Sequence, residues 1–403
     1  METRRTTVRD VRRANRSSLL TDLFHGGRQS RQQLGATTAL SQASVSNLIG
    51  EMIDEGLVEE AGLVGSDGGR PRVLLQVRPD FRYVVGADVG ETRIVVELYD
   101  LAMNRLAAAK YQHDDDPDQV ARQLLTGLSA VIEEAGVAPE NVLGYGVGVP
   151  GVVDQGVVYS QVTGWDAVPL GDVLAGGTSV PVFVENGAKT VGQAEMWFGA
   201  GRGARHAVII LIGTGVGAAV VMDGHSYRGA NSNAGEWGHT TLVYDGDLCR
   251  CGARGCLEAY VGADSINRRL AGVAGEEYDL QTALADKPHS EKVAEVFAQT
   301  CGYLGAGIAD LINLFSPERI AIGGGAGLPL AERFLPEIRA AAAAHALRRP
   351  YAQTTIEACL LGPEAVAMGA ATLPIARLLA EGGLPAPQEE EILLIRKPPA
   401  ARR

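Results

Sequence analysis

The sequence predicts an α/β protein in which a winged helix-turn-helix head precedes a larger body of two similar lobes. Three observations predict it. The chain opens with an Arg-rich, helix-patterned stretch; a strand, glycine loop and strand occur twice, about 127 residues apart; and one His and three Cys cluster in the second lobe. At 403 residues the chain is long enough for two or three domains of roughly 150 residues, each with its own core. A net charge of −12 excludes a protein that coats nucleic acid or anionic membrane over its whole surface. That average hides an asymmetry, because residues 1–50 hold eight Arg against three acids, a local +5 that leaves −17 on the remainder. A basic head on an acidic body directs any anionic polymer to the head.

The Arg-rich start leads into no apolar run of signal-peptide length. The longest uncharged, mostly apolar run, Ala207 to Met222, is too short for the 18 or so residues of a membrane span. A cytoplasmic protein is expected. Five cysteines, an odd number, argue against a disulfide framework in that compartment.

In the head, Val11, Ala14, Leu19, Leu20 and Leu23 recur at helical spacing until Gly26-Gly27. Ser30 and Gln33 have the spacing of a capping box for a short second helix, and Ser41 caps a third that runs to about Glu55. On that third helix Val45, Leu48, Ile49 and Met52 share one arc, opposite Gln42, Ala43, Ser46, Asn47 and Gly50. The second arc is small, uncharged and able to pair with base edges in a major groove, so Gln42, Ala43, Ser44, Ser46 and Asn47 are candidate DNA contacts. Leu57–Glu60 and Val73–Val77 read as a two-stranded wing whose tip carries Arg70 and Arg72, suited to phosphates or a narrow minor groove. Capped amphipathic helices also serve as plain packing units. The basic excess, the uncharged arc and the Arg-bearing wing occur here together, in the order DNA binding requires.

In the body, Tyr83–Gly90 with Ile94–Tyr99, and Val208–Ile212 with Ala218–Val221, form the repeated unit; its second loop is Gly213-Thr214-Gly215-Val216-Gly217. Glycine loops bring backbone N–H groups close to phosphates, although each one alone also suits a hairpin turn. His239, Cys249, Cys251 and Cys256 supply four N/S ligands for a closed tetrahedral site, which implies structural Zn2+. Cys301 and Cys359 lack such neighbours and are expected in the core.

The head resembles the winged-helix domain of ROK-family regulators (repressors, open reading frames, kinases), whose wing often carries Gly-Arg-Pro like Gly69-Arg70-Pro71. Residues 83 to about 380 resemble the ROK sugar-kinase-like domain. The match runs through Asp88-Val-Gly90, Gly148-Val-Pro150-Gly151-Val-Val-Asp154, Glu185-Asn186, Gly213–Gly217, Gly235-Glu236-Trp-Gly238-His239, the cysteine cluster and Gly323-Gly-Gly325. The chain is similar in this to the family's xylose and N-acetylglucosamine repressors. The resemblance implies a two-lobed actin/hexokinase-like (ribonuclease H-like) body. It divides the chain into a DNA-binding head (1–80), a first lobe (81–195) and a second lobe (196–384) whose C-terminal helix returns to the first; the tail (385–403), with three consecutive Glu near 390 and Arg396-Lys397-Pro398-Pro399 later, is expected from its composition to be partly disordered. It further implies sugar binding by Asn186, Glu236, His239 and Glu258, a double-stranded DNA operator, a sugar or sugar phosphate effector, and a dimer or tetramer.

Two departures separate the chain from the family's kinases. The catalytic Asp that follows the Asn is replaced by Gly187, which cannot act as a base, and Glu185 points to the opposite face of the strand. Where the kinases carry Gly-Thr-Lys after Asp-x-Gly, this chain has Glu91-Thr92-Arg93, with a carboxylate that repels phosphate. The expected function is a sugar-responsive regulator without kinase activity. The alternatives are a DNA-tethered sugar kinase using another base and a regulator that no longer answers to ligand.

Overall fold

A computed structural model describes residues 7–64, 71–286 and 289–384. It divides them into a head unit (residues up to Val84, Tyr99–Asn104 and those from Pro374 on) and a body unit (Val85–Leu98 and Arg105–Leu373).

The head starts with helix Val8–Gly26, capped by a reciprocal box between Thr7 and Asp10. Helix Arg31–Thr38 follows, with both halves of the Ser30/Gln33 box formed; then comes helix Gln42–Asp54, whose Ser44 N–H donates to the Ser41 side chain at 3.1 Å. Leu19, Leu20, Leu23, Leu34, Val45, Ile49 and Met52 form its fully buried interior. Strand Val58–Val64 pairs antiparallel with Arg72–Val77. It is longer than the expected Leu57–Glu60, because a bulge between Glu60 and Leu63, with Gly62 at φ +114°, bends the strand without ending it. A two-residue strand, Gln29–Ser30, extends this sheet beside Leu74 and Leu75. Arg72 is exposed at the start of the return strand, whereas Arg70 lies outside the described residues.

The end of the last helix, Ala365–Glu381, also belongs to the head. Arg16 donates to the Gly382 carbonyl at 2.8 Å and pairs with Glu55 at 2.6 Å and Glu51 at 3.3 Å. Arg12 adds a 2.5 Å contact to Glu51, and Arg13 a 3.2 Å contact to Glu381. Glu51 and Glu55, at the end of the third helix, are thus neutralised by arginines of the first.

The body contains two five-stranded sheets. The first is ordered Val182–Asn186, Val142–Val149, Tyr83–Val89, Arg93–Asp100, Arg105–Gln112; the second is ordered Thr355–Ala358, Arg319–Gly323, Ala207–Ile212, Val216–Met222, His225–Ser226. In each, the strand earliest in sequence is central, the next two lie to one side and the last two to the other. The repeat of strand and glycine loop is therefore a repeat of whole sheets. Small residues allow helix Ala365–Glu381 to lie directly on the first sheet, where a side chain at Gly86 or Gly146 would collide with the Ala367 or Ala370 carbonyl. The second sheet's core is formed with helices Glu291–Phe315 and Gly327–His345. Cys301 and Cys359 are buried, at 4% and 6% exposure. Among the described residues, no helix is long and apolar enough to cross a membrane.

Candidate functional site

Helix Gln42–Asp54 buries Val45, Leu48, Ile49 and Met52 and leaves Gln42, Ala43, Ser46 and Asn47 exposed, with Ser44 half-buried and its hydroxyl 2.9 Å from that of Ser41. The helical period set by those four apolar positions turns the uncharged arc outward. A side chain at Gly50 would meet nothing within 4 Å, so the arc is also sterically open.

The body holds a cavity of about 1240 Å³ lined by both glycine loops, Gly213–Gly217 and Gly323–Gly325. Five carboxylate-bearing or amide residues named from sequence reach it: Asp88, Glu91, Asn186, Glu236 and Glu258, together with His239. Asn186 ends strand Val182–Asn186 and caps helix Gly187–Phe198, its Oδ1 accepting from the Lys189 N–H at 3.1 Å and its Nδ2 donating to the Gly151 carbonyl at 2.6 Å. Gly151 has φ +96° and its missing side chain would strike the Tyr159 carbonyl, so this close approach requires glycine. Directly after Asn186, a Cβ on Gly187 would sit 3.6 Å from the Val149 carbonyl and 3.8 Å from Val366, ordinary contacts. There is room for a side chain where this chain has none.

Glu258 is only 6% exposed and serves the protein's own backbone, accepting from the Val216 N–H at 3.0 Å. Its other oxygen lies 3.3 Å from Arg250 Nε, while Arg250 Nη2 donates to the Thr214 carbonyl at 2.9 Å and to Asp264 at 3.1 Å. Glu236 is open to solvent through the cavity, yet desolvation by the surrounding protein raises its carboxyl above the ordinary range. Glu91, on the turn after Gly90, lines the same space; burial raises its carboxyl, and the Arg250 charge pulls it partly back. Burial lifts Asp88 to about 7. Glu185 is buried, pairs with Arg228 and accepts from the Asn186 backbone N–H at 2.9 Å, and Lys189 donates to the Ser232 carbonyl.

His239, Cys249, Cys251 and Cys256 converge, each offering a ligand atom within 4.8 Å of the others. Cys249 Sγ lies 3.7 Å from His239 Nδ1, and Cys251 Sγ lies 3.7 Å from Cys256 Sγ. A tetrahedron with metal–sulfur bonds of about 2.3 Å has edges of about 3.8 Å, so three soft thiols and an imidazole at this spacing fit a metal ion. The Thr241/Cys256 bridge and the Leu257 N–H to Thr240 carbonyl bond, 3.0 Å, tie the His239 segment to the loop bearing Glu258.

Sequence reasoning missed Arg250, since a lone Arg between two cysteines carries no local signal. It also missed a small sheet, Val152–Asp154, Val157–Ser160 and Trp165–Val168, whose Tyr159, Trp165 and Asp166 face the cavity. The short, valine-rich runs around Gly156 were the available clue.

Fold and cavity together define a two-lobed, actin/hexokinase-like body carrying an N-terminal helical head. The chain belongs to the ROK family, whose model matches residues 84–377. It is 29% identical over 369 residues to the xylose repressor of Caldicellulosiruptor bescii, covering 87% of this chain and 92% of that one. It is 32% identical over 317 residues to the glucokinase of Halalkalibacterium halodurans, covering 72% and 93%. A solved ROK family transcriptional regulator, described as a homologue of the E. coli MLC protein, matches with TM-score 0.78 and 27% identity over 92% of this chain and 97% of its own.

Proposed function

We propose that this protein is a sugar-responsive, DNA-binding transcriptional repressor whose ancestral phosphoryl transfer has been lost. The observation that carries the reading is the outward, uncharged arc Gln42, Ala43, Ser46 and Asn47 on a chain whose body keeps a polyol-type cleft but has Gly187 where a base would stand. The match to repressors along nearly their whole length, head included, supports it.

In this reading residues 1–80 are the winged-helix head, with Gln42, Ala43, Ser44, Ser46 and Asn47 on base edges and Arg70 and Arg72 on phosphates. Asn186, Glu236, His239 and Glu258 hold the sugar, and residues 81–195 and 196–384 are the two lobes that close on it. His239, Cys249, Cys251 and Cys256 hold a structural zinc ion; when bound, it fixes the loop that positions Glu258 and Arg250. The working form is a homodimer on paired half-sites, and the sugar shifts its population between a DNA-fitting and a non-fitting spacing.

The test is fluorescence anisotropy of the purified protein on DNA from upstream of its own gene, at fixed salt, with and without a panel of aldoses, amino sugars and their phosphates. A tenfold change with one sugar, about 1.4 kcal/mol of coupling, is expected. DNA binding that no sugar moves would replace the reading with that of a ligand-independent regulator.

The glucokinase relative favours a second reading, a DNA-tethered sugar kinase. ATP-dependent phosphosugar formation by the wild-type protein would establish it. On the first reading the wild type is inactive, and so is Gly187→Asp alone, because Glu91 still faces the phosphate loop.

A further inference from the structure

Residues 228–233 lead into Ala234, Gly235 and Glu236 of the cavity wall, yet none of them is buried, so the segment has no apolar anchor. Its anchors are polar, and they come from the strand end and helix start that carry Asn186. Glu185, 3% exposed, pairs with the Arg228 guanidinium through one oxygen and accepts from the Asn186 N–H at 2.9 Å through the other. Lys189, 5% exposed, donates from Nζ to the Ser232 carbonyl, while its own backbone N–H is held by Asn186 Oδ1 at 3.1 Å. The segment then closes on itself through the Ala234 N–H and the Arg228 carbonyl, 3.1 Å, and joins the second sheet through the Ala218 N–H and the Gly235 carbonyl, 3.0 Å. Glu236 stands four positions beyond Ser232, next to that junction.

Lys189 is a costly residue for this place. It lies in the first turn of helix Gly187–Phe198, where the helix dipole disfavours a cation, and burial pulls its ammonium below the ordinary value. An apolar side chain of similar length would fill the space without either cost, so the ammonium is explained by what it grips. We infer that Lys189 is a positioning residue of the cleft: by holding the Ser232 carbonyl it keeps Glu236 in register with Asn186, so that side chains carried by two different sheets act as one ligand site. Arg228 is the weaker anchor, because its side chain is 52% exposed and water competes for it. The part of Glu236 in ligand binding rests on the proposed function; the grip of Lys189 on the segment does not.

The experiment joins hydrogen exchange of the ligand-free, full-length protein to calorimetric titration with the panel of aldoses, amino sugars and their phosphates. It uses wild type, Lys189→Met, Lys189→Arg, Glu236→Gln and Lys189→Met combined with Glu236→Gln. In Lys189→Met the Ala234 N–H should exchange about tenfold faster, while strand Ala207–Ile212 keeps its protection. Affinity for the sugar that the wild type binds should fall about tenfold, and Lys189→Arg, which still donates, should recover most of it. In the Glu236→Gln background the same Lys189→Met change should cost less than about twofold, since a residue that acts through Glu236 then has nothing left to position. Equal losses in the two backgrounds overturn the inference, as does unchanged exchange at Ala234. Should Lys189→Met fail to fold, Arg228→Gln at its exposed position puts the same question: faster exchange at Ala234 is expected, and unchanged exchange overturns the inference. If no member of the panel binds the wild type, the sugar reading fails, while the exchange comparison still decides whether Lys189 holds the segment.

Discussion

The head and the cleft arrange polar side chains in opposite ways. On helix Gln42–Asp54 the candidate recognition residues Gln42, Ala43, Ser46 and Asn47 stand in solvent, and the acids further along, Glu51 and Glu55, are tied to Arg12 and Arg16. In the cleft two of the four candidate ligand residues already serve the fold: Asn186 caps a helix and holds Gly151, and Glu258 holds Val216 and Arg250. A surface built to read an external partner keeps its donors and acceptors available. A pocket built around its own network keeps them preorganised, and damage to a cleft residue is therefore damage to structure as well.

That contrast predicts unequal consequences, of which metal removal should be the largest. Chelation, or Cys251→Ser, should release the His239–Glu258 segment and with it Arg250. A structural site is worth several kcal/mol, so the melting temperature should drop by about 10 °C or more and sugar affinity should fall with it. Unchanged sugar affinity in Cys251→Ser would separate the cluster from the cleft. Next comes Asn47→Ala, expected to cost about 1–3 kcal/mol of operator affinity with sugar binding and melting temperature unchanged. A comparable loss of sugar binding would show that the head's arc is not the independent surface its exposure implies.

Arg16→Ala should have a smaller effect, confined to the head. It removes the bonds to Gly382, Glu51 and Glu55 together, and for a mostly buried guanidinium with half-exposed partners about 1–2 kcal/mol of stability is expected. Hydrogen exchange would locate the loss in helices Val8–Gly26 and Gln42–Asp54. Uniform protection in those helices would mean that the apolar interior around Leu19, Leu23 and Ile49 carries the head alone.

The same contrast explains what could be read from sequence. Helix Gln42–Asp54 was legible because its cap, its period and its buried face are all local, and so was the His/Cys cluster, whose four ligands fall within 18 positions. Strand Gln29–Ser30 was not, because two residues show no alternation and are strand only by pairing with Leu74 and Leu75. Arg250 and Asp166 acquire their meaning from residues far along the chain, at Thr214 and in the cavity wall, and no window around them carries that information. Glu91 was visible as a departure from a motif, but its place in the same cavity wall as Gly213–Gly217 depends on how two distant loops meet.

The smallest effect separates the two regions by the sign of their pH dependence. In the head, the Arg78 side chain hydrogen-bonds Asp80 and lowers its carboxyl, so this pair contributes at neutral pH and is lost as pH falls through the lowered value. In the cleft, burial raises Asp88 to about 7, so between about pH 4 and 7 the folded protein keeps a proton that the unfolded chain has released. Stability from Asp88 therefore falls as pH rises through that window and is lowest above pH 7. Asp88→Asn, which is neutral at every pH, should match wild type near pH 4 to 5 and melt a few degrees higher at pH 8. Parallel melting curves for the two proteins across that range would mean that Asp88 is solvated through the cavity mouth and titrates as an ordinary carboxyl. In that case the cleft would carry its charges as openly as the head does.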